Sequence, residues 1–244
     1  MSVLSPPAPA YAAQARPLIV AAQAIIFDVD GTLAETEELH RQAFNKTFVQ
    51  AGMDWHWGRT LYKELLRIAG GKERIRAFDQ VRKTFSPLRD AEIAELHRIK
   101  TACFADLLAQ HGCPLRPGIA DFIAAARSRK QRLAIATTTS RANIEGLLGS
   151  AMGGGWEQMF EVIVAGDEVA HKKPAPDVYL ETLDRLHLRG SDCLAIEDSA
   201  NGLISASRAG IPVLITRSLY FEDDDFTGAA LVLDDLTELP EIES

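Results

Sequence analysis

A short apolar run that ends in two aspartates constrains this chain more than any other segment. Residues 24–27 read AIIF, and Asp28, Asp30 and Gly31 follow directly. If the run forms a buried strand, both carboxylates lie at its carboxyl end, where open α/β sheets bind ligands. Two acidic groups held this close repel each other unless a cation neutralises them. The segment therefore predicts a divalent metal beside a carboxylate that can act as a nucleophile.

The same segment has two plainer interpretations. Asp and Gly both favour turns, so residues 28–31 could form an acidic turn after a strand. A calcium-binding loop fits less well, because its glycine stands at the sixth position whereas Gly31 stands at the fourth. The rest of the chain has to decide between a turn and a site.

Composition limits the classes to which a chain of 244 residues can belong. Hydrophobic residues make up 47 % of it, which is typical of a globular protein with a sizeable core. Its net charge is −8. The acidic balance argues against general nucleic-acid binding, although a few focused cations would still admit an anionic substrate. No apolar run is long enough to span a membrane. Cys103, Cys113 and Cys193 lack metal-site spacing, so we expect a reducing, cytoplasmic location.

The pattern of apolar residues separates an N-terminal tail from a helical block. Residues 1–22 are rich in Pro and Ala and are predicted to form a flexible tail that lacks the features of a signal sequence. Residues 40–111 show helical periodicity and no strand pattern. Helices are predicted over residues 40–50, 60–69, 73–85 and 91–111, the last with Asp90 as its N-cap.

Beyond residue 112, short apolar runs alternate with amphipathic helices. Strands are predicted here at residues 132–136, 161–165, 193–196 and 213–215, in addition to the first strand at residues 25–27. This alternation predicts an α/β protein with a Rossmann-like, doubly wound parallel sheet. The core would comprise residues 23–39 and 112–244, and residues 40–111 would be an inserted α-helical cap.

Polar residues follow three of the predicted strands. Asp28 and Asp30 follow the first, Thr137 follows the second, and Glu197 and Asp198 follow the fourth. In a parallel sheet these residues lie along one edge. The carboxylates of Asp28 and Asp198, with the backbone carbonyl of Asp30, suit Mg²⁺, which would offset phosphoryl charge before an anion attacks. The convergence predicts a phosphoryl-transfer site.

Lys173 would complete this site from the loop after the third predicted strand. It precedes Pro174 and could supply a fixed cation for phosphate oxygens. Each residue also has an ordinary explanation: a Lys before Pro is commonly a solvated loop residue, and Glu197 and Asp198 could merely cap a helix. These explanations are weak for the whole set, because all the residues meet at one edge.

Together these residues resemble the four ordered motifs of the haloacid dehalogenase-type phosphatases. The matching positions are residues 28–32 (DVDGT), Thr137, Lys173-Pro174 and Glu197-Asp198. The helical insertion is similar to the α-helical cap of that superfamily. The resemblance implies Mg²⁺ as cofactor, with Asp198 as a ligand and Glu197 as a ligand or its neighbour.

The resemblance also implies a role for each remaining motif residue. Asp28 would attack phosphorus and form an aspartyl-phosphate, and Asp30 would protonate the leaving alkoxide and then activate water. Thr137 and Lys173 would hold the phosphoryl group. No protein partner is implied.

Four further segments resemble the CbbY-like phosphatases, which hydrolyse xylulose-1,5-bisphosphate, an inhibitor of Rubisco. They are residues 35–40 (ETEELH), 70–74 (GGKER), 137–140 (TTTS) and 197–203 (EDSANGL). This resemblance implies a sugar-bisphosphate phosphatase that serves carbohydrate metabolism and the Calvin cycle.

The GGKER segment would bind the phosphate that lies away from the metal. Lys72 and Arg74 could pair with it, and Gly70 and Gly71 would let backbone amides approach. A solvated helix start is the plainer interpretation, with Glu73 as an N-terminal helix acid. A P-loop does not fit, because the residue after Lys72 is not Ser or Thr.

Residues near the first and second motifs complete the predicted substrate set. Glu37 could accept hydrogen bonds from sugar hydroxyls, and His40 could contact Asp30 or the substrate. Thr138 and Thr139 would lie beside the phosphoryl group. An ordinary polar start to a helix would also account for Glu37 and His40.

Three other functions stay open. A β-phosphoglucomutase or a phosphoglycolate-type phosphatase would use the same core motifs, and a binding protein could keep the fold without catalysis. The presence of all the predicted catalytic groups argues against the last.

Overall fold

Short apolar segments form one parallel sheet in the computed structural model, which describes residues 10–82 and 86–239. The strands are β1 (Ala24–Phe27), β2 (Arg132–Ala136), β3 (Val162–Val164), β4 (Cys193–Glu197), β5 (Val213–Thr216) and β6 (Leu231–Leu233). Their order is β3-β2-β1-β4-β5-β6, and each neighbouring pair is parallel. The chain moves outward on both sides of β1, so the carboxyl end of β1 lies at the point where ligands bind in such sheets. The predicted α/β class is confirmed.

Helices cover both faces of the sheet and form a cap beyond its edge. In chain order they are α1 (Ala10–Ala21), α2 (Glu37–Gln50), α3 (Arg59–Leu65), α4 (Gly71–Arg82), α5 (Asp90–His111), α6 (Ile119–Ser128), α7 (Arg141–Met152), α8 (Asp177–Leu186) and α9 (Ala200–Arg208). Short 3₁₀ turns lie at Trp156–Met159, Gly190–Asp192 and Leu236–Glu238.

The strand β1 is buried on both faces, which explains its unbroken apolar sequence. Ile25 and Phe27 pack with side chains from α1, α5, α6 and α7, whereas Ala24 and Ile26 pack on the face covered by α8 and α9. All four are fully buried. A parallel strand covered by helices on both sides reads as a continuous hydrophobic run.

The cap has its own core, which is built mainly from aromatic side chains. Trp57 lies at its centre, with ring centroids 4.6 Å from Phe44, 4.9 Å from Phe48 and 6.1 Å from Tyr62. Aromatic pairs at these separations stabilise a core beyond their area alone. The cluster draws these side chains from α2, α3 and the loop between them.

The helix α5 joins the cap to the sheet. Its N-terminal part contributes Ile93 and Leu96 to the aromatic cluster, and its C-terminal part contributes Phe104 and Leu107 to the sheet core. At 1.5 Å per residue its 22 residues span roughly 33 Å, long enough to serve both. The domain boundaries at residues 40 and 111 stay a prediction: α2 begins before the first of them, whereas α5 ends at the second but contributes to both cores.

The predicted tail is wrong for residues 10–21, which form α1. Ile19 is fully buried in the sheet core, and the side-chain amide of Gln131 donates to the carbonyl oxygens of Ile19 and Ala22 at 2.7 and 2.6 Å. The apolar run at residues 18–20 supplies Ile19 to the face of the sheet that α5, α6 and α7 also cover. Residues 1–9 lie outside the described residues.

Other element boundaries differ by a few residues, and one strand escaped prediction. The helix α2 begins at Glu37 rather than residue 40, and α3 ends at Leu65 rather than residue 69. Asp90 is the first residue of α5 and Arg89 its N-cap; the Glu92 side chain accepts from the Arg89 amide at 2.8 Å. The predicted end of α4 at residue 85 lies outside the described residues.

The missed strand is β6, the outermost strand on one side of the sheet. It has three residues, of which Leu231 and Leu233 are buried. A run this short carries too little alternation to predict a strand.

We expect Ile19→Ala to lower the free energy of unfolding by about 2–5 kcal/mol, because it removes a buried side chain from a packed core. Urea denaturation followed by circular dichroism measures this change. Val20→Ala, on the exposed side of α1, is the control and should change stability by less than about 0.5 kcal/mol. Equal effects for the two variants would contradict the packing of α1 against the sheet.

Candidate active site

The carboxyl ends of β1, β2 and β4 bring the predicted motif residues together. Phe27 on β1 is in register with Ile135 on β2 and Ile196 on β4, so the residues that follow these three lie at one level. Asp28 is thereby next to Glu197, and its amide donates to the Ile196 carbonyl at 3.0 Å. The register of the parallel sheet therefore brings together site residues that are far apart in the sequence.

Three buried carboxylates form a cluster at this edge. Oxygen atoms of Asp28, Glu197 and Asp198 lie within 4.8 Å of one another, and the three residues are 6 %, 0 % and 1 % exposed. Burial raises the pKa of Asp28 to about 7. Burial and the neighbouring charges of Asp28 and Glu197 raise the pKa of Asp198 well above its usual value. A cluster with this excess of negative charge has the ligand chemistry of a divalent cation site.

Lys173 supplies the positive charge inside this cluster. Its ammonium donates to Asp28 Oδ1 and to Glu197 Oε1, both at 2.6 Å, and to the Ala136 carbonyl at 3.0 Å. Burial acts to lower the pKa of Lys173, but the two carboxylates outweigh it and raise the pKa. Because Lys173 binds Oδ1 of Asp28 and no residue in the described ranges donates to Oδ2, the second oxygen is available for attack.

Two hydroxyl groups that sequence reasoning missed hold the other carboxylates. Tyr179 on α8 donates to Glu197 Oε1 at 2.5 Å, and Ser218 donates to Asp198 Oδ2 at 2.6 Å. Glu197 Oε1 therefore accepts from Lys173 and Tyr179, and its Oε2 accepts from the Asp198 amide at 3.3 Å. Because Asp28 and Asp198 each have only one oxygen engaged within the described part of the chain, they are better placed than Glu197 for direct metal binding.

Gly31 leaves the space that Asp198 occupies. Its φ of +81° lies in the left-handed region, and a Cβ at this position would lie 1.9 Å from Asp198 Oδ2. Only glycine satisfies both conditions, because any other residue would be strained at this positive φ and its Cβ would collide with the carboxylate. The glycine of the first motif is thus required by the aspartate of the fourth.

Asp30 lies at the end of a hydrogen-bonded chain that reaches into the cap. Thr36 Oγ1 and His40 Nε2 both contact Asp30 Oδ1, at 2.5 and 3.0 Å, and His40 Nδ1 lies 2.7 Å from Lys100 Nζ. Burial acts to raise the pKa of Asp30, but His40 and Thr36 outweigh it and hold the pKa below its usual range. Within the described residues no hydrogen bond reaches Asp30 Oδ2, which leaves that oxygen available to a substrate.

The chain of contacts fixes the tautomer of His40. A lysine ammonium has donors and no acceptor, so the Nδ1 atom of His40 must accept from Lys100. An imidazole ring with one proton then carries it on Nε2, where it donates to Asp30 Oδ1. Burial lowers the pKa of Lys100 to about 8, with Asp30 and Glu37 acting in the opposite direction.

Sequence reasoning did not single out Lys100, although a signal was present. Lys100 lies on the stripe of α5 that includes Leu96, Cys103 and Phe104, and it is only 4 % exposed. A lysine on the buried face of an amphipathic helix needs a partner, because burial of an unpaired charge is costly. Thr36, one turn before His40, carried no such signal.

A cavity of about 860 Å³ lies between the sheet edge and the cap. All the predicted site residues except Glu197 line it, namely Asp28, Asp30, Glu37, His40, Gly70, Gly71, Lys72, Glu73, Arg74, Thr137, Thr138, Thr139, Lys173 and Asp198. His97 and Lys172, which sequence reasoning did not assign, also line it. The carboxylate cluster and residues 70–74 of the cap therefore line the same cavity.

The two glycines of the cap loop allow close contact with its neighbours. A Cβ on Gly70 would lie 2.1 Å from Glu73 Oε2, and a Cβ on Gly71 would lie 2.6 Å from the His97 ring. Burial lowers the pKa of His97 to about 3, and nearby lysines, Lys72 among them, act in the same direction. This end of the cavity therefore holds a neutral imidazole among cations.

The threonine segment after β2 is ordered by hydrogen bonds within its own turn. The Thr139 amide donates to Thr137 Oγ1 at 3.3 Å, and the Asn143 side chain donates to Thr139 Oγ1 at 2.9 Å. Thr137 and Thr139 are buried and Thr138 is half-buried at the cavity wall. These contacts hold the segment in place beside Asp28.

Comparison with known proteins accounts for this arrangement. A family model for haloacid dehalogenase-like hydrolases matches residues 22–210. The protein CbbY of Rhodobacter capsulatus is 50 % identical over 215 residues, which cover 88 % of this chain and 94 % of CbbY. The chain belongs to the haloacid dehalogenase-like hydrolases, in their CbbY-like group. It is accordingly an enzyme of the phosphatase type.

Solved structures agree with this assignment. A mutant CbbY from Rhodobacter sphaeroides, in complex with xylulose-1,5-bisphosphate, has a TM-score of 0.85 and 48 % identity over 89 % of this chain and 96 % of that chain. A β-phosphoglucomutase from Clostridium difficile has a TM-score of 0.74 at 20 % identity, over 90 % of this chain and 94 % of that chain, and shares the fold. Among the described residues, no helix combines the length and apolarity needed to cross a membrane.

We expect Lys100→Met to lower kcat for phosphate release from p-nitrophenyl phosphate by about tenfold or more, because His40 then loses the partner that fixes its tautomer beside an acid–base group. The KM should change little, since Lys100 does not reach the carboxylate cluster. Colorimetric assay of nitrophenol release measures both constants. Lys46→Met, an exposed site on α2, is the control, and an unchanged kcat in Lys100→Met would contradict the role of the chain of contacts.

Proposed function

We propose that this enzyme hydrolyses xylulose-1,5-bisphosphate with Mg²⁺ through an aspartyl-phosphate on Asp28. The observation that carries the proposal is the cavity that joins the carboxylate cluster to residues 70–74 of the cap, where α4 begins. Similarity to CbbY, which has been crystallised with this substrate, supports the choice of sugar. A bisphosphate has two anionic ends, and the cavity offers cations at both.

The residues at the sheet edge fit a Mg²⁺ ion. Three buried carboxylates face one ammonium, and Gly31 leaves room for the Asp198 carboxylate, so the cluster has charge and oxygen atoms to spare. Asp28 and Asp198 would bind the ion directly, with the Asp30 carbonyl as a further ligand and Glu197 beside them. When bound, Mg²⁺ offsets the charge on the phosphoryl oxygens and on the attacking carboxylate.

In the first half-reaction, Asp28 Oδ2 attacks phosphorus and the bond from phosphorus to the sugar oxygen breaks. Lys173 holds Asp28 by its other oxygen, so the attacking oxygen faces the cavity. Thr137 and Lys173 would hold the phosphoryl oxygens, whose charge spreads in the transition state. The products of this step are the aspartyl-phosphate and a sugar alkoxide, which takes a proton from Asp30.

Asp30 must gain a proton before it can act as an acid. His40 and Thr36 hold its pKa low in this structure, which suits the base form. A phosphate dianion close to Asp30 raises the pKa of that carboxyl, because like charges disfavour ionisation. Substrate binding would therefore be accompanied by proton uptake at Asp30.

In the second half-reaction, Asp30 returns as a base. It takes a proton from water, whose oxygen attacks phosphorus and displaces Asp28, so that inorganic phosphate leaves and both aspartates regain their starting forms. The acid of one half-reaction is the base of the other, as a two-step mechanism through a covalent intermediate requires.

The cap loop would recognise the second phosphate. Lys72 is exposed at the start of α4 and can move toward an anion. Arg74 is buried and held by other cap residues, so it would act through its fixed positive charge. Glu37 and His40 line the same cavity and would meet the sugar hydroxyls.

We expect Mg²⁺ to raise the melting temperature of the wild-type protein by several degrees at about a hundredfold excess over Kd, since a ligand of the folded state stabilises it by about 2.7 kcal/mol under that condition. Asp198→Asn should lose most of this shift. Differential scanning fluorimetry measures it without a substrate. Asp106→Asn, an exposed site on α5, should keep the shift; an unaltered response in Asp198→Asn would exclude Asp198 as a ligand.

We expect purified enzyme with Mg²⁺ to release phosphate from xylulose-1,5-bisphosphate with a kcat/KM at least about tenfold above that for phosphoglycolate, because only the bisphosphate fills both cationic ends. Malachite-green detection of phosphate measures both rates. Asp28→Asn should be inactive, which controls for contaminating phosphatases.

The remaining outcomes of this experiment separate the alternatives. Faster release from phosphoglycolate would overturn the choice of substrate. Conversion of β-glucose 1-phosphate to glucose 6-phosphate without phosphate release would identify a mutase. A wild type that is inactive on every phosphate ester would indicate a binding protein, and full activity in Asp28→Asn would exclude the covalent mechanism.

A further inference from the structure

The carboxylate of Glu37 is held from the cap by one hydroxyl group. Glu37 is the first residue of α2, is 8 % exposed and lines the cavity. Its Oε2 accepts from the Tyr62 hydroxyl at 2.7 Å. Within the described ranges no other hydrogen bond to this carboxylate is found, so Tyr62 alone sets the direction in which it faces.

Tyr62 is itself fixed by packing. It is fully buried, with ring centroids 6.3 Å from Phe44, 6.1 Å from Trp57 and 5.6 Å from Tyr220. A ring enclosed in this way has little freedom, so the hydroxyl oxygen occupies one position. Burial and the charge of Glu37 raise the pKa of Tyr62 well above its usual value, which keeps the hydroxyl a donor.

Arg74 completes the chain of contacts on the far side of Tyr62. Its Nη1 donates to the Tyr62 oxygen at 3.2 Å, while Nε and Nη2 donate to the carbonyls of Leu65 and Ile68, each at 3.2 Å. The guanidinium also lies over the Tyr62 ring, 5.3 Å from its centroid. Arg74 therefore directs the hydroxyl: the oxygen accepts from Arg74 and its proton is left for Glu37.

We propose that Tyr62 is a positioning residue that aims the Glu37 carboxylate at a sugar hydroxyl and so contributes to substrate specificity. The proposal rests on the function proposed above, since it needs a substrate with a hydroxyl between its phosphate and the cap. A carboxylate that is aimed before the substrate arrives loses less freedom on binding. A substrate without such a hydroxyl gains nothing from it.

Tyr62→Phe tests this role, because it keeps the ring in the aromatic cluster and removes only the hydroxyl. We expect the KM for xylulose-1,5-bisphosphate to rise by roughly tenfold, with kcat within about threefold, as for the loss of one hydrogen bond to a charged group. For p-nitrophenyl phosphate, which has no sugar hydroxyl, both constants should stay within about twofold.

The matched control is Tyr220→Phe. Tyr220 belongs to the same cluster and its hydroxyl also donates to a carboxylate, but that carboxylate is Glu38, at 2.6 Å. Tyr220→Phe removes a hydroxyl from the same aromatic cluster, so any loss of activity due to packing or stability alone should appear in both Tyr→Phe variants. We expect Tyr220→Phe to leave the ratio of the two substrates unchanged.

A double-mutant cycle with Glu37→Ala separates positioning from structure. If Tyr62 acts through Glu37, adding Tyr62→Phe to Glu37→Ala should change the KM by less than about twofold, because the group to be aimed is gone. Losses that multiply in the double variant, or a fall of kcat on both substrates alike, would assign a merely structural role and overturn the proposal. A Tyr62→Phe enzyme with wild-type constants on the bisphosphate would also overturn it.

The wild-type enzyme decides the proposed function separately. If it hydrolyses p-nitrophenyl phosphate but not xylulose-1,5-bisphosphate, the proposed substrate is wrong, and the cycle is scored on whichever sugar phosphate in a panel it hydrolyses best. If it hydrolyses no sugar phosphate, the positioning proposal falls with the function.

Discussion

The ammonium of Lys173 lies between two buried carboxylates, and the arrangement of the sheet edge depends on this contact. Without it, three carboxylates would share a space less than 5 Å across with no ion-pair partner among the residues that the structure describes. Loss of one partner from a buried ion pair typically costs about 3–5 kcal/mol, because the remaining charge is left unpaired. Lys173 thus stabilises the cluster, which still has more carboxylates than cations, as the proposed metal site requires.

The site has a second half, in which cap side chains contact Asp30 and Glu37 through an intervening residue. Lys100 contacts His40 and thereby Asp30, while Arg74 contacts Tyr62 and thereby Glu37. In each chain of contacts a buried Lys or Arg contacts a donor group, and that donor contacts a carboxylate. The cap side chains therefore hold Asp30 and Glu37, two residues of the predicted core segment, in fixed directions.

The sequence indicated the positions of three of the residues at the carboxyl ends of the strands, because each of them follows a buried apolar run. Asp28, Thr137 and Asp198 come directly after strands, and the register of a parallel sheet leaves their positions little freedom. Tyr62 and Lys100 could not be assigned in this way, since their roles depend on how cap helices pack. The helix α1 was missed because its burial depends on contacts more than 100 residues away, such as that with Gln131.

The order of the strands also governs when the site can form during synthesis. Asp28 is made early, but β1 is flanked by β2 and β4, and Asp198 follows β4 late in the chain. Closing a loop this long costs entropy that only the completed sheet repays. A nascent chain that has not passed residue 198 therefore has no assembled carboxylate cluster, and it meets cellular metal ions and phosphate esters without the means to react with them.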